Sequence, residues 1–282
     1  MSTTAIKPTY VVRSDQFLSS RPSELWKFRE LFLLLVKRDF VASYKQTVLG
    51  PLWFFVQPFL SSLVFVVIFS QIARLPTTDL PPLVYYMSGI IAWNFFANCL
   101  TTVSYTFLSN GYLFRKIYFP RLIMPLSQIT NQLLSFCAQF LVLLVVILVY
   151  NLSGRRVDLS PRIWELPFIL SGMAMLALGL GTLISAATVK YRDLTMIVGY
   201  SVQLWMYGSL VIYPRQSVPE HLQWLLNLNP MASCIEWYRS SVFGSEQAKL
   251  GPAIMAAGII IVILVAGLLS FARAEGTFTD SI

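Results

Sequence analysis

Charge is scarce in this chain. Asp, Glu, Lys and Arg make up 12% of its 282 residues, 56% are hydrophobic, and the mean hydropathy is +0.66. That balance excludes an ordinary soluble domain. Histidine occurs once, as His221, and cysteine three times, as Cys99, Cys137 and Cys234. Three such thiols make neither a disulfide framework nor a metal cluster. There is no HExxH or GxSxG motif, and no pair of carboxylates sits together at a membrane face, which argues against catalysis. No GxxxxGK[ST] phosphate loop occurs, so the chain does not cradle ATP by that device. Ionisable side chains are almost missing from the long apolar stretches. A chain coupled to a proton or sodium gradient places charge there, so the energy for any transport must come from elsewhere.

What is present is apolar length. A helix needs roughly 20 predominantly apolar residues to cross a bilayer. Six stretches meet that requirement, at about 52–71, 83–107, 122–150, 164–188, 194–213 and 252–271. The expected fold class is therefore an all-α membrane protein with six transmembrane helices. The first 30 residues are polar, and the apolar run at 31–36 is too short for a signal core, so no cleavable signal is expected and the first span serves for insertion. Lys and Arg number eight before the first span, three in the loop 108–121, two in 189–193 and one in the tail, against seven on the other side. The positive-inside rule then places both termini in the cytoplasm. Arg155 and Arg156, on the outer side, are a mild exception.

Three regions between or before the spans carry more than connection. In LFRKIYFPRLIMP, residues 113–125, three basic residues and two prolines interrupt the apolar chain. Asn110 and Gly111 are expected to break the preceding helix, and Pro120 to constrain the turn into span 3. The basic segment reads either as a positive-inside anchor at the headgroups or as a docking element for a cytoplasmic partner. Before span 1, helical spacing puts Leu25, Phe28, Phe32, Leu35 and Val36 on one face, with Lys27, Glu30, Lys37 and Arg38 broadly opposite and Ser23 as a possible cap. Such a helix is expected to lie along the membrane interface. Between spans 5 and 6, Ser217 and Glu220 have capping-box spacing, and Asn229 followed by Pro230 reads as N-cap and first helical position. The result is an expected helical hairpin at the outer interface, its role either anchoring or gating.

Amides within the spans, Gln57, Asn94, Asn98, Gln128, Asn131, Gln132, Gln139 and Gln203 among them, read as interhelical hydrogen-bonding groups. Ala177, Gly181 and Ser185 form a small-residue stripe that lets another helix approach. Aromatic residues cluster in spans 1, 2 and 5. Belts at the membrane boundary are their default explanation, but aromatic faces also stack on sugar rings, as a sugar-conducting pore requires.

The runs RDFVASYKQTVLGPLWFFVQP at 38–58, LFRKIYFPRLIMP at 113–125, VKYRDL at 189–194, VIYP at 211–214, VPEHLQWLLNLNPMASCIEWYR at 218–239 and the ending FARAEGTFTDSI closely resemble the permease subunits of ABC-2 type polysaccharide exporters. The resemblance covers the chain from about residue 25 onward. It implies a half-transporter that pairs with a second copy of itself and with two cytoplasmic ABC ATPase subunits in the bacterial inner membrane. Its cargo would be a polysaccharide linked to a polyprenyl pyrophosphate. O-antigen is favoured over capsular polysaccharide or teichoic acid. The chain itself would be non-catalytic and hold no cofactor, ATP and Mg being bound by the partner; no nucleic acid is implied. By the family's pattern, residues 1–47 are a cytoplasmic segment with the interface helix, 48–274 the transmembrane domain and 275–282 a cytoplasmic tail.

The resemblance also assigns positions. It makes the segment around Asn110, Gly111, Tyr112, Arg115, Lys116 and Tyr118 the coupling helix that docks in the ATPase. Spans 1 and 5 become a gate, so Trp53, Phe54, Phe59, Trp205 and Tyr207 become candidates for the glycan path. Residues 217–242 match outer gate helices, which bring in Glu220, His221, Trp224, Glu236, Trp237 and Arg239. By charge alone, Lys37, Arg38 and Lys45 are placed to attract the pyrophosphate. Two other classes remain open. A membrane-embedded transferase acting on lipid-linked sugar would have to use Asp39, Asp193 or Glu236, and the other is a secondary transporter or membrane scaffold.

Overall fold

The computed structural model describes residues 26–45, 47–116, 119–188, 191, 193–244 and 248–280, and among these there are helices and connections but no strand. Helix α1 is Arg29–Tyr44. A 3-10 turn at Gly50–Leu52 leads into α2, Trp53–Phe65, which loosens into a π-helical segment, Val66–Ile72. Then come α3, Pro82–Ser104; α4, Thr106–Lys116; α5, Ile123–Leu152; and α6, Leu166–Thr188. The chain continues with α7, Leu194–Tyr207; α8, Gln223–Leu228; α9, Pro230–Phe243; and α10, Leu250–Asp280.

Among the described residues, five segments are long and apolar enough to cross a membrane: Gly50–Ile72, Pro82–Ser104, Ile123–Leu152, Pro161–Thr188 and Leu250–Ala274. The sixth expected stretch, 194–213, differs. Its helix α7 has 14 residues, about 21 Å at 1.5 Å per residue, short of the roughly 30 Å hydrocarbon core. The chain then leaves the helix at Gly208 and turns through Leu210, whose φ is 58°. Hydropathy continues through 213, but the helix has ended at Tyr207, before the left-handed Leu210.

The second span is the hub. Within the chain, 83% of its most apolar window is buried, against 11% for the first span and 22% for the third and last. It packs on α2, α5 and α6, and α6 in turn packs on α10. The small-residue stripe does this work in part: a Cβ on Gly181 would fall 2.7 Å from Val103 of α3. On the other side of α6, a Cβ on Gly179 would sit 2.7 Å from Cα of Leu264 and 2.8 Å from the carbonyl oxygen of Ile263 in α10. Backbone-to-backbone contact is how helices gain association energy in lipid, where apolar side chains gain little by leaving the tails. Replacing Gly179 by Leu is therefore expected to drive α6 and α10 apart, an overpacking cost of about 1–3 kcal/mol or more. Gly172 on the same helix has open space at its Cβ, so Gly172→Leu is the control. Equal yields of monodisperse protein in detergent from the two variants would contradict the account.

Local structure corrects three readings of the sequence. Asn110 and Gly111 do not break a helix; α4 runs through both, and Asn110 Nδ2 donates to the Thr106 carbonyl at 3.1 Å. One helical glycine costs only about 1 kcal/mol, and the break lies instead at Tyr105, between α3 and α4. Ser217 caps nothing: Arg215–Ser217 and Glu220–Leu222 are separate 3-10 turns without side-chain caps. Arg121 does not extend to headgroups but is buried, its guanidinium 5.6 Å from the centre of the Phe114 ring. The apolar face of α1 is also covered by protein. Leu35 is buried against Phe119, Ile123 and Met124, with Phe28 and Phe32 half-buried beside it, which leaves Trp26, Leu33 and Leu34 exposed. Ser23 and Leu25 lie outside the described residues.

Candidate functional site

The end of the molecule formed by α9 and the turn after α7 is organised around two buried arginines. Helix α9 begins as its sequence indicates, with Asn229 Oδ1 accepting from the backbone N–H groups of Met231 and Ala232 and Pro230 in the first turn. The same amide reaches the end of α7: Nδ2 donates to the Gly208 carbonyl at 2.8 Å and to Ser209 Oγ at 3.1 Å. Trp205 Nε1 donates to Asn229 Oδ1 at 3.0 Å. One side chain thus serves two helix ends whose backbone groups would otherwise lack partners.

Far from lying on the interface as an anchor, α9 is enclosed. Of its fourteen residues all but Trp237 are buried. Arg239 is fully buried, and Nη1 donates to Tyr85 Oη and to the Leu210 carbonyl, both at 2.8 Å. Nη2 donates to the Val211 carbonyl at 2.8 Å, and the guanidinium carbon stands 3.8 Å from the centre of the Tyr85 ring. The cation therefore ties α9 to α3 and to the strained turn after α7. Gly89 makes room for it, because a Cβ there would lie 2.6 Å from Arg239 Nη2. One turn along α9, Glu236 receives a bidentate pair from Arg215 Nε and Nη2, each at 2.8 Å, and Arg215 Nη1 donates to Asn227 at 2.8 Å. Both partners are buried, where such pairs survive only with this degree of hydrogen bonding. Burial alone also pushes the Cys234 thiol up to about 12, which makes it an inert packing group.

The six positions expected at an outer gate thus separate into different environments. Glu236 and Arg239 are internal, Trp237 faces a groove, and Glu220, His221 and Trp224 are exposed. Counting Arg215 and Arg239 as outer-surface charges, as loop position suggests, misses that both are interior. No local pattern signals it, since their partners Tyr85, Leu210 and Glu236 lie up to 154 positions away.

The aromatic positions are also divided. Trp53 and Phe59 are exposed on α2, while Phe54 stacks on Phe40 of α1 with ring centres 5.8 Å apart. Trp205 turns inward, edge-on to Phe96 at 5.2 Å and near Trp93 at 6.5 Å. Tyr207 is exposed, and its carbonyl accepts from Tyr213 Oη at 2.7 Å. Helix α2 packs on α3 and α5, whereas α7 packs on α3 and α6, so one chain does not assemble these rings into one surface.

On the opposite side, Lys37, Arg38 and Lys45 line a shallow groove of about 520 Å³ on α1. Arg38 is already paired with Asp39 at 2.7 Å. Nearby, Asn110, Gly111 and exposed Tyr112 lie on α4, whose backbone reaches Arg115 and Lys116. Tyr118 and the side chains of Arg115 and Lys116 lie outside the described residues. No group of three or more His, Cys, Asp or Glu able to hold a metal occurs among the described residues.

Several apolar helices long enough to cross a membrane, packed around a buried hub, define a multi-pass membrane protein. The family model for ABC-2 type transporters matches residues 30–243, and the chain belongs to that family. It is 27% identical over 252 residues to an O-antigen export system permease protein RfbA of Klebsiella pneumoniae, covering 89% of this chain and 94% of that protein. A second RfbA from the same organism is 26% identical with the same coverage. The RfbA of Myxococcus xanthus is 26% identical over 92% of this chain and 98% of its own.

Proposed function

We propose that the protein is the membrane subunit of an ATP-driven exporter carrying a polyprenyl-pyrophosphate-linked polysaccharide, O-antigen in the first place, across the bacterial inner membrane. The observation that carries this reading is the likeness to O-antigen export permeases over nearly their whole length. In it, residues 48–274 form the transmembrane domain, with residues 1–47 and 275–282 on the cytoplasmic side. Helix α7 and the turn after it complete a sixth crossing, and both termini are cytoplasmic, as the charge count favours. A second copy sets its α2 and α7 across from those of the first, which brings Trp53, Phe54, Phe59 and Tyr207 of both chains toward one glycan path; Trp205 supports that wall from behind.

Energy comes from two ATPase subunits that bind ATP and Mg, docked at α4 through Tyr112, Arg115, Lys116 and Tyr118. Lys37, Arg38 and Lys45 draw the pyrophosphate toward the inner boundary. Helices α8 and α9, with Glu220, His221, Trp224, Glu236, Trp237 and Arg239, close the outer end. Capsular polysaccharide or teichoic acid is the alternative cargo within the same reading.

Deleting the gene and analysing surface and intracellular glycan tests the proposal. Loss of the surface polymer with accumulation of its lipid-linked form inside is the expected outcome. Unchanged surface glycan, or export that persists after ATP depletion with the ion gradient intact, would overturn it.

A further inference from the structure

The one residue of α9 that is not buried, Trp237, opens onto a groove that the exporter reading leaves unused. The groove has a volume of about 490 Å³, and its walls come from the 3-10 turn Pro161–Glu165 and the first turns of α6, from α9 and from the start of α10. Trp164, Phe168, Gly172, Trp237, Ala253 and Ala257 make it almost wholly apolar. Trp164 and Phe168 are 65% and 70% exposed, and both lie in a membrane-crossing segment, so the groove opens to the bilayer and not to water. An apolar recess at that depth is filled by hydrocarbon, because water there would find few polar partners.

Its upper end is different in kind. Glu165 accepts from Trp237 Nε1 at 2.8 Å and pairs with Arg162 at 2.9 Å. Arg162 lies one turn outward of Glu165 on one wall. Exposed Lys249 lies one turn outward of Ala253 on the other. Arg162, held bidentately by Glu165, and exposed Lys249 therefore stand on the two walls of the apolar slot, and Arg155 and Arg156, the exception to the positive-inside count, follow on the same side.

From this juxtaposition we infer that the groove is a binding site for an anionic glycerophospholipid, with one acyl chain against Trp164, Phe168 and Gly172 and its phosphate between Arg162 and Lys249. Assignment to the outer leaflet rests on the topology proposed above; binding itself does not.

The test uses the full chain in nanodiscs with a phosphatidylglycerol carrying a photoreactive acyl chain. Cross-links are expected at residues 164–172 and 253–260, competed by unlabelled phosphatidylglycerol and weakly by phosphatidylethanolamine. Each cation near a membrane surface strengthens attraction for an anionic headgroup about fivefold, so the Arg162→Ala, Lys249→Ala double variant is expected to lose about 30-fold of that preference. Gly172→Leu has space for its side chain and is expected to abolish labelling while the protein stays folded. Labelling spread evenly over the lipid-facing helices, equal competition by the two lipids, or displacement by a polyprenyl phosphate in place of the phospholipid would each overturn the assignment. The wild-type measurements decide even if a variant fails to fold. Loss of export with lipid binding intact, or the reverse, separates this site from the transport reading.

Discussion

Replacing Arg239 by Met is expected to destabilise the protein by about 3 kcal/mol or more, because it leaves buried acceptors without a donor at roughly 1–3 kcal/mol each. The thioether fills part of the space but donates nothing to the carbonyls of Leu210 and Val211 or to Tyr85 Oη. Leu210 sits at φ 58°, a conformation that costs about 1–3 kcal/mol unless its surroundings hold it. Without the guanidinium, that turn loses the group that holds it. Tyr85→Phe removes one hydrogen bond and is expected to cost only about 1 kcal/mol. Gly89→Ala crowds the guanidinium directly and is expected to approach the effect of Arg239→Met. Thermal unfolding in detergent gives the ranking. A midpoint for Arg239→Met equal to that of the wild type would show that Arg239 does not hold the outer end together.

Reversing the charges of Arg115 and Lys116 is expected to eliminate transport while leaving insertion intact. Both lie at the end of α4, a helix separated from the second span by the break at Tyr105, whose Oη donates to the Thr195 carbonyl at the start of α7 at 2.9 Å. A force applied to α4 therefore has a direct route to α7. Under the proposed docking, like charges brought together cost several kcal/mol, and about 2.7 kcal/mol corresponds to about 100-fold weaker association. Co-purification of the ATPase with the Arg115→Glu, Lys116→Glu protein is the measurement, with surface glycan as the second readout. Normal assembly and normal export in that variant would remove the docking role and leave the two residues as membrane anchors.

The two predictions differ in how visible their residues are in the sequence. Arg115 and Lys116 stand out locally as a basic pair between apolar runs. Arg239 reads from the sequence as one charge of the expected outer hairpin, and only its contacts with α3 and the 210–211 turn reveal it as interior. The same holds for Arg215 with Glu236, which read as scattered charges until the fold brings them to 2.8 Å.

Local physics is legible along the chain. Apolar length identifies five crossings within a few residues, and Asn229 with Pro230 marks the start of α9. The small residues of α6 indicate close packing. Each depends on near neighbours in sequence, through helix period, capping geometry or side-chain size. Which apolar surface meets lipid and which meets protein was left to the tertiary structure. Lipid tails and Leu side chains are equally apolar, so hydropathy cannot separate the buried second span from the exposed first. Nor can it show that the turn after α7, with Leu210 left-handed, is held by an arginine of α9. Long-range hydrogen bonds decide those points, and they form only once the helices have packed.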